Sequence, residues 1–260
     1  MTEMPCPLCR SVDTRAFYHY PDFNVLQCRA CLFRFIDQRS WIYPYRDEDY
    51  YSAAPLTESH STPPHIQRRI DQVLRHSSGG RCLDIGCGLG EVTLSLANYG
   101  FSAEGLDESN NAISALSSKH PEAKWHCGRV QDVLPMLGLF DVVTLYHVLE
   151  HFPDPLENME SIMNALRPGG LLVIEVPNIR GLMARIMGRR WHYYLGHHVN
   201  YFDPKNLAKL ISMIGCETIE ARGDYDIAYP GGAPWKLLVK RGLMAVGFND
   251  VISIVGRKHR

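Results

Sequence analysis

Four cysteines near the amino terminus have the types and spacing of a metal site. Cys6 and Cys9 form one Cys-x-x-Cys pair, and Cys28 and Cys31 form a second pair after 18 intervening residues. Each pair presents two thiolates to one side of a tight turn, and two facing pairs complete a tetrahedron around Zn²⁺. We therefore expect a structural zinc ribbon, in which four thiolates leave no coordination position open for catalysis.

Two other uses of these cysteines are disfavoured. Disulfides need an oxidising compartment, and nothing in the sequence marks the chain as secreted. A redox role needs only one Cys-x-x-Cys pair, and no thioredoxin-like sequence surrounds either pair. About 40 residues bury little apolar surface, so bound zinc would supply the missing folding free energy. The other cysteines lack ligand spacing and are predicted to be small buried core residues: Cys82, Cys87, Cys127 and Cys216.

A glycine-rich stretch at residues 83–90 has the composition of a nucleotide-binding loop. Its three glycines lie between a predicted strand and a predicted helix, where they let a ligand approach the backbone. Asp107 ends the next predicted strand, 21 residues after Gly86, where a carboxylate can meet ribose hydroxyls. A plain strand–helix turn also accounts for the glycines, but Asp107 favours a nucleotide site.

The loop chemistry favours S-adenosylmethionine over a dinucleotide. Dinucleotide loops follow Gly-x-Gly-x-x-Gly, whereas here the third glycine, Gly90, comes one residue earlier. Asp84 also precedes the loop, and a carboxylate there opposes a phosphate. It suits a ligand that carries ammonium and sulfonium charges.

Histidines are concentrated where the molecule that accepts a methyl group from S-adenosylmethionine would bind. In an open parallel sheet the ligand lies beyond the carboxyl ends of the strands, and two loops there hold five of the twelve histidines. A hydroxyl acceptor must lose a proton, so His151 beside Glu150 is the first candidate base and His198 the second. A structural role for the Leu-Glu-His run is the alternative. The aromatic residues 191–194 would either stack on an acceptor ring or form a hydrophobic lid.

The apolar pattern predicts the elements that position these residues. Strands alternate with helices, which indicates a mostly parallel sheet covered by helices on both faces. The predicted strands are 81–85, 103–107, 123–127, 140–146, 171–176, 216–221 and 250–255, and the predicted helices are 64–76, 90–99, 109–119, 155–167, 203–214 and 234–246. We divide the chain into a zinc ribbon at 1–40, a Tyr-rich connector and helix at 41–80, and a catalytic domain at 81–260.

Charge and hydropathy restrict the partners. Lys plus Arg number 27 and Asp plus Glu number 28, so the net charge is -1. This balance lacks the excess of positive charge that binds a nucleic-acid backbone. No apolar run reaches the roughly 18 residues of a membrane helix, so we expect no stable membrane insertion. The first residues lack a signal pattern, which favours a cytoplasmic protein. The expected partner is a small-molecule acceptor, and the sequence indicates no oligomeric state.

Five motifs in order resemble those of class I S-adenosylmethionine-dependent methyltransferases. They lie at 83–90, Asp107, 140–143, 147–155 and 166–170, and the resemblance spans about residues 80–222. It implies a Rossmann-like, seven-stranded methyltransferase sheet. The subgroup that the sequence resembles includes quinone-biosynthesis O-methyltransferases and sugar methyltransferases. The ribbon followed by a Tyr-rich segment is similar to methyltransferases of surface-glycan and deoxysugar pathways.

The resemblance also implies contacts to the cofactor. The loop glycines would line the methionine and ribose, with Asp84 near the methionine ammonium and Asp107 on both ribose hydroxyls. Arg129 and Val130 would flank the adenine, and His147 would border the methionine portion. The implied cofactor set is Asp84, Gly86, Gly88, Gly90, Asp107, Arg129, Val130 and His147.

These inferences predict methyl transfer from S-adenosylmethionine to a hydroxyl of a sugar, nucleotide-sugar or glycan precursor. A phenolic or quinone-like acceptor is the alternative within the same class. Two other classes stay open at this point. A NAD-dependent oxidoreductase would use the glycine loop and Asp107, although the displaced third glycine argues against it. A zinc-ribbon binding module would need a degenerate large domain, which the intact Asp84 and Asp107 disfavour.

Overall fold

Two sheets organise the chain in the computed structural model, which describes residues 4–39, 62–224 and 249–260. The small sheet contains β1 (Thr14–His19), β2 (Asn24–Cys28) and β3 (Arg34–Ile36). The predicted Tyr-rich connector between the ribbon and the first helix, and the predicted helix near 234–246, lie outside the described residues.

The large sheet has seven strands in the order β10-β11-β8-β7-β4-β5-β6. In chain order its domain contains α1 (Pro64–Leu74), β4 (Gly80–Ile85), α2 (Glu91–Asn98), β5 (Phe101–Asp107), α3 (Asn110–Lys119), β6 (Lys124–Cys127), α4 (Val130–Leu137), β7 (Phe140–Tyr146), α5 (Pro155–Ala165), β8 (Leu166–Pro177), α6 (Leu182–Met187), β9 (Asn200–Tyr201), α7 (Pro204–Met213), β10 (Cys216–Asp224) and β11 (Val251–Lys258). Short 3-10 turns occupy Leu149–His151 and Gly188–Arg190. Five strands are parallel, and β11 runs antiparallel to both β8 and β10. The predicted Rossmann-like sheet is therefore confirmed.

Alternation along the strands places a core on each face of the sheet. Successive strand side chains point to opposite faces. On β4, Leu83 joins the core formed with α4, α5 and α7, whereas Cys82 joins the core formed with α1 and α2. The sheet is thus covered on both sides, as the strand–helix alternation predicts.

Most predicted elements form within a few residues of their expected bounds, but helices α4 and α6 and strand β9 are additional, and strand β8 begins early. Helix α4 was not predicted, and Pro135 lies inside it. Val130, Val133 and Leu134 bury one side of α4 against the sheet, which offsets the hydrogen bond that proline removes. Strand β8 begins at Leu166, before the predicted start at Leu171.

The cysteine assignment needs one correction. Cys82, Cys87 and Cys216 are buried as predicted, but Cys127 is exposed. It is the last residue of β6, which lies at the edge of the large sheet, so little packs over it.

The small sheet contains strands of the ribbon and one strand of the segment that follows β8. Strand β9, which comes from that segment, pairs antiparallel with β3 and completes the small sheet as its fourth strand. The Ile36 amide donates a hydrogen bond to the Val199 carbonyl at 2.9 Å. Phe33 of the ribbon packs against Phe202 with ring centroids 5.1 Å apart. The amino-terminal ribbon therefore packs on the side of the large domain that carries the segment after β8.

Among the described residues, no helix has the length and apolar character needed to span a membrane.

Candidate active site

A cavity of about 500 Å³ opens at the carboxyl edge of the parallel strands. Its volume lies in the range of small-molecule sites. The predicted residues that line it are Gly86, Asp107, Arg129, Val130, His147 and His151. Residues of α5 also border it, notably Glu157 and Asn158, which no sequence motif marks. The loops after β4, β5, β6 and β7 thus meet at one site.

The glycine loop has a backbone conformation in which residues other than glycine would be strained. Gly86, Gly88 and Gly90 have φ values of +66°, +53° and +76°. A Cβ at Gly86 would lie 2.3 Å from Val148 Cγ2, so close packing also requires glycine there. Gly86 borders the cavity, whereas Gly88 and Gly90 are not among its lining residues. They shape the turn that presents Gly86.

Asp107 is held rigidly at the cavity wall. Its Oδ2 accepts a hydrogen bond from the Gly88 amide at 2.9 Å, and its Oδ1 accepts one from the Ser109 amide at 2.9 Å. Each carboxylate oxygen can accept more than one hydrogen bond. The fixed carboxylate therefore fits a ligand with paired hydroxyls, such as a ribose.

Asp84 lies beneath the loop and does not line the cavity. Its carboxylate accepts hydrogen bonds from Thr144 Oγ1 at 2.7 Å and from Thr93 Oγ1 at 3.0 Å. Burial raises the pKa of Asp84 to about 6, although the two hydroxyl donors act in the opposite direction. These contacts tie β4 to β7 and α2. A direct contact with the methionine ammonium stays a prediction.

His147 belongs to a buried charge network that the sequence analysis missed. Its Nδ1 is 3.3 Å from Glu150 Oε1, and its Nε2 is 3.6 Å from Glu175 Oε1. Burial opposes protonation, but these carboxylates outweigh it and raise the pKa of His147 to about 9. Arg68 and Arg69 of α1 pair with Glu175 at 2.8 and 2.6 Å. In the sequence, Glu175 itself could have indicated this network, because it is a lone carboxylate within an apolar strand.

The three predicted catalytic residues come together beside the cavity. Glu150, His151 and His198 each place one potential ligand atom within 4.8 Å of the others. His151 Nδ1 is 2.9 Å from the His197 carbonyl, and a carbonyl can only accept, so this nitrogen carries the proton. The Nε2 lone pair of His151 is thereby left for chemistry.

His198 is a weak base in the folded protein. Burial, together with the neighbouring His151 and His197, lowers the pKa of His198 to about 3, although Glu150 opposes the shift. Its Nδ1 lies 3.1 Å from the Tyr193 carbonyl. An imidazole with such a low pKa is a poor proton acceptor near neutral pH.

The aromatic segment after β8 packs mainly on the ribbon. Trp191 and Tyr194 are buried in a core that also contains Phe23 and Val25 of the ribbon. Arg34 donates a hydrogen bond to the Tyr194 hydroxyl at 2.9 Å. These two aromatic rings are therefore occupied in packing, which disfavours the stacking interpretation for them.

The amino-terminal cysteines form a compact thiol cluster. The Sγ atoms of Cys6 and Cys31 are 3.6 Å apart, as are those of Cys9 and Cys28, and all four lie within 4.8 Å of one another. A tetrahedral Zn–S₄ site with bonds of about 2.3 Å has S–S distances of about 3.8 Å. The cluster therefore fits a zinc ion.

Comparison with known proteins identifies the family. Residues 60–221 match the family described as a methyltransferase domain. The ubiquinone biosynthesis O-methyltransferase of Aromatoleum aromaticum is 30% identical over 169 residues, which are 60% of this chain and 72% of that protein. The protein of the same name from Paraburkholderia phymatum is 28% identical over 160 residues, covering 57% and 69%.

Solved structures show the same fold at low sequence identity. A methyltransferase dependent on S-adenosylmethionine (SAM) from Archaeoglobus fulgidus superposes with a TM-score of 0.56 at 18% identity, covering 75% of this chain and 93% of that one. An S-adenosylmethionine-dependent methyltransferase from Clostridium acetobutylicum gives 0.58 at 12% identity, covering 82% and 96%.

The chain belongs to the methyltransferase-domain family, and it is a class I S-adenosylmethionine-dependent methyltransferase. This assignment replaces the oxidoreductase and the non-catalytic binding module that the sequence alone left open.

Proposed function

We propose that this methyltransferase transfers its methyl group to a hydroxyl of a phenolic or quinone-like small molecule. The observation that carries this acceptor class is the similarity to two ubiquinone biosynthesis O-methyltransferases. The sequence alone favours a sugar hydroxyl as the acceptor, whereas the relatives support the phenolic or quinone-like alternative. An apolar cavity wall that includes Val148 and Phe152 suits an aromatic ring.

The proposed cofactor contacts follow from the residues that share the cavity. Asp107 would hold the ribose hydroxyls, since backbone amides fix its carboxylate. Arg129 and Val130 would flank the adenine, and His147 would lie at the methionine end. When bound, S-adenosylmethionine supplies a methyl group that its sulfonium already activates. The protein's task is then to align the acceptor oxygen with that methyl group.

Deprotonation of the acceptor is proposed to occur at the cluster of Glu150, His151 and His198. His151 borders the cavity, and the His197 carbonyl fixes its ring. His198 lies behind it, 5% exposed. The orientation of His151 therefore makes it the side chain on which this step depends.

The thiol cluster is proposed to hold one structural Zn²⁺. Its closed set of four cysteines leaves no place for substrate, so the metal would stabilise the ribbon and the strand pairing with β9. Metal analysis of protein purified without chelators should give about one zinc equivalent. A content below about half an equivalent would contradict the assignment.

A methyl-transfer panel tests the acceptor class. Purified protein is incubated with S-adenosylmethionine carrying a deuterated methyl group, together with phenols bearing adjacent hydroxyls or with sugar nucleotides, and products are read by mass spectrometry. We expect the labelled methyl group on a phenolic oxygen. Label only on sugar nucleotides would overturn the proposed acceptor while leaving the methyltransferase assignment intact.

A further inference from the structure

We propose that Asn158 of α5 recognises the 6-amino group of the cofactor's adenine, and so selects S-adenosylmethionine over analogues that carry an oxygen at that position. No sequence motif marks this residue. The inference rests on the proposed placement of the adenine beside Val130, and it is independent of which acceptor is methylated.

Asn158 interrupts the apolar buried side of α5. The other buried residues of this helix are Pro155, Leu156, Met159, Ile162, Met163 and Ala165. Asn158 is 4% exposed, and it lines the cavity. Burial of an amide is costly unless its polar atoms have hydrogen-bond partners. Packing alone would favour an apolar residue at this position, which indicates that the amide serves a bound ligand.

The helix backbone fixes the orientation of this amide. Its Nδ2 is 2.7 Å from the Asp154 carbonyl, and a carbonyl can only accept, so the nitrogen donates. Its Oδ1 accepts no hydrogen bond from the described part of the chain, and it is not among the polar atoms that the protein encloses completely. Asn158 therefore offers the cavity a hydrogen-bond acceptor, which calls for a ligand that donates an N–H or O–H.

The location of Asn158 suits the donor of an adenine. Val130 begins α4 and borders the same cavity, and α4 packs against α5. A ring that lies on Val130 therefore brings one edge towards the first turn of α5, where Asn158 lies. The 6-amino group is the donor at the edge of an adenine ring. A neutral amide oxygen matches that neutral amino group.

Other polar residues of the cavity wall are less suited to recognise the amino group. Arg129 has donors and no acceptor, and it pairs with Asp132 at 2.8 Å. Glu108 and Glu157 carry acceptors, but both residues are exposed, so water competes for their carboxylates. Asn158 combines a buried position with an acceptor oxygen that no residue of the described chain occupies.

A ligand with an oxygen in place of the amino group makes the recognition measurable. In S-inosylhomocysteine, the 6-oxo group would place a second acceptor opposite Asn158 Oδ1. The complex would lose one hydrogen bond and leave a buried acceptor without a partner. Sites that hydrogen-bond a ligand donor reject analogues that lack it, and here we expect a loss of affinity of about tenfold or more.

Calorimetric titration with S-adenosylhomocysteine and S-inosylhomocysteine tests this expectation. The wild type should bind the adenosyl ligand at least about tenfold more tightly. Asn158→Leu should lower this ratio of affinities at least about fivefold, because leucine has no acceptor. Asn158→Asp keeps acceptor oxygens and should retain the preference. Discrimination by other groups is common to all variants, so the change in the ratio reports on position 158.

Asn164→Leu is the matched control, because Asn164 is an exposed residue of the same helix outside the cavity lining. It should keep the wild-type ratio. A purely structural role for Asn158 would weaken both ligands equally, so an unchanged ratio in folded Asn158→Leu overturns the proposal. If the leucine variant does not fold, Asn158→Ala, which adds no bulk, provides the same comparison with the same two outcomes.

Asp107→Asn separates this proposal from the proposed placement of the cofactor. Both ligands contain the ribose, so this variant should weaken both by the same factor and keep their ratio. If Asp107→Asn leaves both affinities unchanged, the proposed placement fails, and the role of Asn158 fails with it. If it weakens both ligands while Asn158→Leu keeps the wild-type ratio, the placement stands and only the role of Asn158 is overturned.

Discussion

At the residue scale, His151 connects the cavity with the cluster of Glu150 and His198. It lines the cavity, and it belongs to that cluster. His151→Ala should lower turnover by about 100-fold or more, because the acceptor loses the group that promotes its deprotonation. Affinity for S-adenosylhomocysteine should stay within about twofold, as its ribose and adenine contacts come from other residues. Steady-state kinetics and calorimetric titration measure both quantities.

His120→Ala is the control for that substitution. His120 follows α3 at a distance from the cavity lining, so its variant should retain wild-type turnover. Near-normal turnover of His151→Ala with intact cofactor binding would contradict the assignment of this residue.

Asp84 makes stability depend on pH in a defined direction. Its pKa is about 6 in the folded protein against an ordinary value of 3.8, so the folded state holds the proton more tightly. The resulting stabilisation is complete below the ordinary pKa and is lost as the pH rises through 6. Relative to Asp84→Asn, the wild type should lose about 2 kcal/mol of unfolding free energy between pH 4.5 and 7.

Urea unfolding of both proteins at the two pH values measures this difference. Asp22→Asn, at an exposed position in the ribbon, is the matched control and should track the wild type. A constant difference between wild type and Asp84→Asn at both pH values would contradict the shifted pKa.

At the scale of elements, strand β9 connects the ribbon to the turn that carries His151, the proposed catalytic residue. Asn200 of β9 pairs with Phe35 of β3, and its Nδ2 donates to the Phe152 carbonyl at 2.6 Å, just after the turn that contains His151. Arg10 of the ribbon also pairs with Asp154 at 2.8 Å. The ribbon therefore contacts the segments that carry His151 and His198, and we predict that it holds them in position.

Cys9→Ser tests this support. The variant should hold less than about half a zinc equivalent and lose at least about tenfold in turnover, because a small displacement of catalytic groups is costly. Its affinity for S-adenosylhomocysteine should change by less than about twofold. Metal analysis, kinetics and titration provide the three readouts, with the exposed Cys127→Ser as control. Loss of zinc with unchanged turnover would show that the ribbon does not position the acceptor site.

Local patterns predicted the catalytic sheet and its carboxyl edge well, and long-range contacts poorly. Strand β7 has its predicted bounds because apolar residues occupy all of its positions except Asp141 and Thr144. Helix α4 escaped prediction because Pro135 interrupts it, and only burial of its apolar side stabilises it. Strand β9 has only two residues, which are too few to show an alternation of apolar and polar side chains. It is a strand only through its pairing with β3. Glu175 was missed because its partners, Arg68 and Arg69, are about a hundred residues earlier.

At the scale of the whole molecule, ribbon and large domain share one apolar core. Phe33 and Phe35 of the ribbon belong to the same buried cluster as Leu149 and Phe202 of the large domain. Scanning calorimetry of the zinc-loaded protein should therefore show a single cooperative transition, because neither part retains a complete core alone. A separate low-temperature transition, abolished by Cys9→Ser, would show that the ribbon unfolds independently.

A crystal structure with bound S-adenosylhomocysteine tests the central claim most directly: that one cavity places the cofactor between Asp107 and the cluster of Glu150, His151 and His198. We predict ribose hydroxyls on the Asp107 carboxylate, adenine beside Val130, and the sulfur directed towards His151. A cofactor bound outside this cavity, or one whose sulfur points away from the cluster, would contradict the account.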